Sequence, residues 1–217
     1  MNNRALIFVN GEIENLDFIQ EMIEKDDFLI AADGGSEHLK ILGINPNLLI
    51  GDLDSVVNSS NKISKQAEFE VQKFPREKDE TDLELALRET VKRGFSNLVI
   101  VAALGGRLDQ TLGNLALLQQ PFLDGYQVTM EDGINEIHLV RSEITITGKM
   151  GDIVSLLAVN QPAVGVIAKG LKYPLKSETL YPYQTRGISN EMLSNTAYVA
   201  LSQGQLLSLH TRNNRIK

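Results

Sequence analysis

The sequence predicts two architectures in series: an N-terminal α/β domain, with a mostly parallel, Rossmann-like sheet covered by helices on both faces, followed by a C-terminal all-β sandwich. Two observations carry that expectation. Over the first 130 or so residues short β-rich runs alternate with longer helical patterns, and from about residue 135 the helical patterns stop while strand-length runs continue. The boundary falls near residues 131–136, giving domains of 1–134 and 135–217.

The N-terminal strands are expected at Ala5 to Val9, Phe28 to Ala32, Leu48 to Ile50, Phe69 to Phe74, Leu98 to Ala103 and Gln127 to Met130. Each is brief, apolar or alternating, and bounded by Gly, Asn, Asp or Pro. Helices lie between several of them. The clearest starts at Thr81, which has capping-box spacing to Glu84; Leu83, Ala86, Leu87 and Thr90/Val91 then recur at helical intervals until Gly94. A second follows Asp109, its expected N-cap, with Leu112, Leu115, Ala116 and Gln119 on one face. Strand–helix–strand repeats of this kind require right-handed crossovers and a parallel sheet. The second domain reads as Glu136 to Val140, Glu143 to Thr147, Val154 to Ala158, Val164 to Ala168, Tyr198 to Leu201 and Gln205 to His210, separated by Gly-, Pro- or Asn-containing turns.

Composition narrows the function. A chain of 217 residues with 42% hydrophobic and 23% charged residues is folded and globular. A net charge of −7 argues against a surface for nucleic-acid backbones, so a phosphate partner is expected to be small and metal-bound. Zero cysteines remove disulfides and thiolate chemistry and suit a reducing, cytoplasmic setting. Apolar runs such as Leu98 to Leu104 fall far short of the roughly 20 residues a membrane span needs, so no membrane partner is expected.

In an open parallel sheet, ligands bind beyond the C-terminal strand ends. Four predicted strands carry polar clusters there: Asp33-Gly34-Gly35, Gly51-Asp52-Leu53-Asp54-Ser55, Arg76 through Asp82, and Gly105-Gly106-Arg107-Leu108-Asp109-Gln110. Asp52 and Asp54 share a face of extended chain, their Cα atoms roughly 6.5–7 Å apart, so one cation fits between them. Asp79 and Asp82 flank the Thr81 helix start, and Asp33 and Asp109 add charge at the same edge. Carboxylates gathered so closely need a hard cation, and magnesium suits carboxylates shared with substrate phosphates. The glycine pairs offer backbone N–H groups to an anion, while Arg76 and Arg107 can clamp phosphate oxygens.

Taken singly, these motifs have plainer explanations. An Asp-x-Asp can decorate a loop, an acidic first turn complements a helix dipole, and paired glycines make turns. Neither a Walker glycine loop nor a Gly-x-Gly-x-x-Gly turn is present. His38, His138 and His210 show no metal-ligand spacing and are assigned nothing. The joint pattern remains open to a magnesium-dependent nucleotide-using transferase, a phosphohydrolase, or a non-catalytic nucleotide or metal sensor.

The ordered set Ala32-Asp33-Gly34-Gly35, Gly51-Asp52-Leu53-Asp54-Ser55, Asp79-Glu80-Thr81-Asp82, Gly106-Arg107-Leu108-Asp109-Gln110 and Gly187-Ile188-Ser189-Asn190 resembles the thiamine pyrophosphokinase family over nearly the whole chain. The resemblance implies an α/β catalytic domain that binds ATP and magnesium, and a β-sandwich for homodimerisation and thiamine binding. The implied reaction is transfer of the diphosphoryl group of ATP to the hydroxyl of thiamine, giving thiamine diphosphate and AMP. It further implies that Asp52 and Asp54, helped by Asp79 or Asp82, hold magnesium, and that Asp33, Gly34 and Gly35 line the nucleotide site. Arg107 steadies phosphates, Asp109 and Gln110 face the reacting region, and Asp82 or Asp109 accepts the hydroxyl proton. Ser189 and Asn190 match the family's second-domain turn at the thiamine site. Family members place an aromatic ring, including Trp, against thiamine; this chain has no Trp, leaving Tyr or Phe for that role.

Overall fold

The computed structural model describes residues 3–51, 69–75 and 77–213, and the chain divides into two compact units, Met1–Gly133 and Ile134–Lys217. Asp52, Asp54 and Arg76 lie outside the described residues.

In the first unit the chain order is β1 (Arg4–Phe8), α1 (Leu16–Met22), β2 (Phe28–Ala32), α2 (Gly35–Ile41), β3 (Leu48–Gly51), β4 (Glu70–Lys73), α3 (Asp82–Lys92), β5 (Asn97–Val101), α4 (Leu108–Leu117), a 3-10 turn (Pro121–Leu123) and β6 (Gln127–Glu131). The strands pair in parallel in the order β6-β5-β1-β2-β3-β4. β1 is therefore central. The chain winds from β1 toward β4 on one side, crosses back, and continues through β5 and β6 on the other.

Both faces of this sheet are buried, which is why its strands read as near-continuous apolar runs. Leu6, Phe8, Leu29, Ala31, Leu49, Val99 and Val101 share a core with Ile19 of α1 and Leu39 of α2. The alternate residues Ala5, Ile7, Ile30, Leu48, Ile50, Leu98 and Ile100 are also fully buried. Helix α3, which packs on β1, β2 and β3, presents Leu83, Ala86, Leu87 and Thr90 at helical spacing. Its N-cap is Thr81, whose Oγ1 accepts the Glu84 N–H at 3.2 Å, and Gly94 follows its C-cap at φ 87°. Only half of the expected capping box forms. The Glu84 carboxylate instead takes Arg88 Nη2 at 2.8 Å, one helical turn on.

Helix α4 departs from the sequence expectation. It begins two residues earlier, with Arg107 as N-cap and Asp109 inside the first turn. Its apolar stripe does not enter the core of this unit: Leu108 and Leu112 are 72% and 57% exposed, and Leu117 is the residue it buries.

The second unit comprises β7 (Asn135–Val140), β8 (Glu143–Thr147), β9 (Ile153–Ala158), β10 (Ala163–Lys169), β11 (Leu175–Leu180), β12 (Asn190–Glu191), β13 (Thr196–Ala200) and β14 (Leu206–Thr211). They form two antiparallel sheets, β12-β9-β14-β7 and β11-β10-β13-β8. Val140, Val154, Leu156 and Leu206 from the first meet Ile146, Val166, Ala168, Leu175 and Val199 from the second in one core, which makes the unit a sandwich. No helix among the described residues is long and apolar enough to cross a membrane.

Candidate active site

With β1 between β2 and β5, the crevice at which the winding reverses lies beyond the C-terminal ends of β1 and β5, where open α/β sheets bind ligands. A cleft of about 620 Å³ is found there. Asn10 and Gly11 from the β1 end, Asp33 from the β2 end and Ala103 and Gly105 from the β5 end line it, together with Lys78, Glu80, Thr81 and Asp82 at the start of α3 and Arg107, Asp109, Gln110 and Asn114 at the start of α4.

The backbone at these strand ends is held in unusual conformations. Asp33 and Ala102 adopt φ of 50° and 60°, a region that non-glycine residues occupy at a cost and that clusters at functional sites. Asp33 is fixed by its N–H, which donates to Ile50 O at 3.1 Å. Gly34 and Gly35 are needed for a different reason: a Cβ on Gly35 would stand 1.9 Å from Phe8 O, and one on Gly34 would stand 2.3 Å from Asn10 Oδ1. They open α2 and let it approach β1, and neither lines the cleft.

The Asp82 carboxylate and the Asp33 backbone approach the end of β3. A Cβ built on Gly51, the residue before Asp52, would stand 3.4 Å from Asp82 Oδ2 and 3.7 Å from Asp33 N. Lys78 Nζ forms a close ion pair with Asp82 Oδ1, the two side chains only 15% and 18% exposed. Asp79 is exposed two residues before the N-cap and does not line the cleft. Among the described residues no group of three acidic or imidazole ligands assembles. The donor that faces the β3 end, Asp82 Oδ2, is a hard carboxylate oxygen, the type that magnesium takes.

On the opposite wall Arg107 and Asp109 pair through Nη2–Oδ2 at 2.6 Å and Nε–Oδ1 at 3.2 Å. The arginine hydrogen bond holds the Asp109 carboxyl below its ordinary range, and Asp109 in turn raises Arg107. Asn114 Nδ2 donates to Ala103 O at 2.8 Å and Thr111 Oγ1 to Gly105 O at 3.2 Å, so α4 grips the loop that feeds it.

Ser189 and Asn190 belong to the second unit. Ser189 has φ 58°, and its N–H donates to Ser155 Oγ at 3.0 Å. Asn190 is buried, its Oδ1 accepting Tyr173 N–H at 2.9 Å and Glu191 N–H at 3.1 Å while Nδ2 donates to Tyr173 O at 2.7 Å. The amide holds both the N–H and the C=O of Tyr173, and the Tyr173 side chain is left 58% exposed. Asn10 and Asn114 line the cleft although motif reading did not single them out, while Lys78 and Glu80 lie within the Arg76 to Asp82 cluster without having been given a role. For Asn10 a signal existed in its position at the end of the first strand.

Models of the thiamin pyrophosphokinase catalytic domain and of the thiamin pyrophosphokinase vitamin B1 binding domain match residues 19–130 and 135–206. The chain belongs to the thiamin pyrophosphokinase family. A thiamine pyrophosphokinase of Bacillus subtilis is 27% identical over 184 residues, covering 84% of this chain and 86% of its own length. Crystal structures of thiamine pyrophosphokinases from Bacillus subtilis and Geobacillus thermodenitrificans share the fold, with TM-scores of 0.85 and 0.84 at 23% and 24% identity. They cover 97% and 99% of this chain and 99% and 100% of their own. The family's catalytic-domain match contains every cleft residue that sequence reading singled out in the first unit, and its vitamin B1 match contains the Ser189-Asn190 turn.

Proposed function

We propose that the cleft beyond β1 and β5 seats the triphosphate of ATP and that the Ser189-Asn190 turn of the second unit takes part in binding thiamine. The reaction itself follows from family membership: the enzyme is a thiamine diphosphokinase, moving a diphosphoryl group from ATP to the thiamine hydroxyl and releasing AMP. The rival transferase, phosphohydrolase and sensor readings give way to it. The observation that supports the placement is the convergence of Asp33, Asp82, Arg107, Asp109 and Gln110, from separate strand ends and helix starts, on one cleft at the switch point.

In this reading Asp52 and Asp54, helped by Asp82, whose carboxylate approaches Gly51, or by Asp79, hold magnesium. Magnesium bound there would neutralise charge on the phosphate oxygens. Asp33 lines the nucleotide site, with Gly34 and Gly35 serving it from behind. Arg107, assisted by Arg76, takes the phosphates, and when Arg107 turns to them Asp109 is released from its ion pair. Asp109 then accepts the hydroxyl proton, with Gln110 beside it, as the thiamine oxygen attacks the β-phosphorus in line and the bond to the AMP oxygen breaks. Tyr173, presented by Asn190, supplies the ring against thiamine, and Ser189 shapes the turn.

The homodimer, with the β-sandwich as its dimerisation domain, belongs to the same reading. The enzyme is assigned to the cytoplasm, where a cysteine-free chain loses nothing. Incubation with ATP, magnesium and thiamine, followed by phosphorus NMR, tests the reaction. Thiamine-dependent AMP together with thiamine diphosphate is expected; ADP, or phosphate released without thiamine, would refute it.

A further inference from the structure

The loop after β1 is zipped to the loop after β5. Val9 N–H donates to Val101 O at 3.0 Å, Gly11 N–H to Ala102 O at 2.7 Å and Glu12 N–H to Leu104 O at 2.8 Å. The series ends on a side chain, with Gly106 N–H donating to Glu12 Oε1 at 3.0 Å. Glu12 also lies over Gly105, where an added Cβ would stand 2.7 Å from its carboxylate carbon.

Gly105 and Gly106 have φ of 80° and 63°. Two successive glycines in the left-handed region have wide conformational freedom when nothing holds them, and ordering each costs entropy. They run directly into Arg107, which is the N-cap of α4 and gives the helix no side-chain cap. The direction of the Arg107 guanidinium and of the first amides of α4 therefore depends on what fixes the glycine pair. The Thr111 bond to Gly105 O acts from within the helix, and Glu12 holds the segment from the loop that follows β1.

We propose that Glu12 is a positioning residue for the diphosphoryl transfer: by accepting the Gly106 N–H it holds the Gly105-Gly106 segment so that Arg107 and the start of α4 face the nucleotide phosphates. The inference rests on the cleft being the ATP site. What Glu12 contributes is an acceptor oxygen at the right reach, because a carboxylate charge beside a triphosphate opposes binding. Glutamine keeps that oxygen and removes the charge.

The test compares the full-length wild type with Glu12→Ala and Glu12→Gln. In Glu12→Ala the KM for ATP rises about five- to tenfold, the loss expected for one hydrogen bond. The KM for thiamine stays within about twofold, the melting temperature is unchanged, and amide exchange accelerates in the peptide spanning residues 103–110. Glu12→Gln restores both the KM and the exchange protection. An unchanged ATP KM in Glu12→Ala, equal rises for both substrates, or a Glu12→Gln enzyme as impaired as Glu12→Ala would overturn the proposal. Failure of the wild type to make thiamine-dependent AMP would instead refute the functional reading, and unaltered exchange at residues 103–110 would still overturn this one.

Discussion

Arg107 grips Asp109 with a two-point fork, 2.6 Å from Nη2 to Oδ2 and 3.2 Å from Nε to Oδ1, although both side chains are about two-thirds exposed at 70% and 67%. An exposed pair contributes little to folding, so its consequence is chemical. Arg107 is preorganised over the cleft yet must exchange one anion for another when phosphate arrives. Arg107→Ala is expected to lower kcat/KM for ATP about a hundredfold, as removal of a donor to developing charge does, while the melting temperature holds. Because the arginine bond is the main cause of the depressed Asp109 carboxyl, the acid limb of the pH–rate profile should also move to higher pH. A variant with unaltered rates and profile would remove both residues from the site.

Lys78 and Asp82 form the second ion pair of the cleft, more enclosed than the first. The Lys78 ammonium also lies 5.3 Å from the centroid of Phe74. In the nucleotide-free enzyme Lys78 occupies the carboxylate that faces the end of β3, and a divalent cation must compete with it. Lys78→Met should bind manganese about fivefold more tightly without nucleotide, measured by calorimetric titration. Asp82→Asn should weaken binding. Equal affinity in all three proteins would take Asp82 out of the metal site.

The parallel sheet was legible because its strands are buried on both faces and Gly, Asn, Asp or Pro punctuate their ends. The strand order was not, since nothing local says that β1 and β5 are neighbours; that pairing is a crossover decision made by packing. Asp33, Asp82, Arg107, Asp109 and Gln110 could therefore be grouped by the strand-end rule, while Asn10 and Glu12, on the central strand's own loop, went unnoticed. β11 escaped for another reason. Its Leu175–Leu180 segment is a polar edge strand with a register shift against β10, so the period-2 pattern is lost. The apolar stripe of α4 was legible as a stripe, but not the fact that this unit leaves Leu108 and Leu112 uncovered. Gly34 and Gly35 read as anion-binding glycines when their requirement is close passage against Phe8 O and Asn10.

Asn190 spends its side chain on both polar groups of the Tyr173 peptide, so its effect on thiamine is expected to pass through Tyr173. Asn190→Ala should destabilise the protein by about 2 kcal/mol, the cost of leaving buried partners unsatisfied, and should raise the KM for thiamine but not that for ATP. Tyr173→Ala should raise the thiamine KM with no loss of stability, because the ring is largely exposed, and Tyr173→Phe should retain most of the affinity. An unaltered thiamine KM in Tyr173→Ala would disprove the assignment.

His210 was assigned nothing from sequence, yet in the second unit it is a buried cation between two carboxylates. Nδ1 lies 3.1 Å from Glu136 Oε2 and Nε2 lies 2.9 Å from Asp152 Oδ2, so both nitrogens donate and the ring is an imidazolium. His138 and Arg212 also face Glu136, and the N–H groups of Lys149 and Asn213 face Asp152. Burial by itself would depress His210, but the bonds to Glu136 and Asp152 outweigh it and hold the ring above its ordinary value of 6.5. Burial likewise opposes ionisation of Glu136 and Asp152, and their hydrogen bonds hold both below their ordinary values of 4.5 and 3.8. A raised histidine contributes stability that is complete below its unfolded pKa and disappears as pH rises through the folded one. Depressed carboxylates contribute above their unfolded pKa and lose that contribution as pH falls through the folded one. Stability from this cluster is thus greatest between about pH 4.5 and 6.5, and the melting temperature should decline as pH is raised from 6.5 to about 9. His210→Gln should be less stable at pH 6 and should lack most of that alkaline decline; an equal decline in both proteins would show that the imidazolium is not its source.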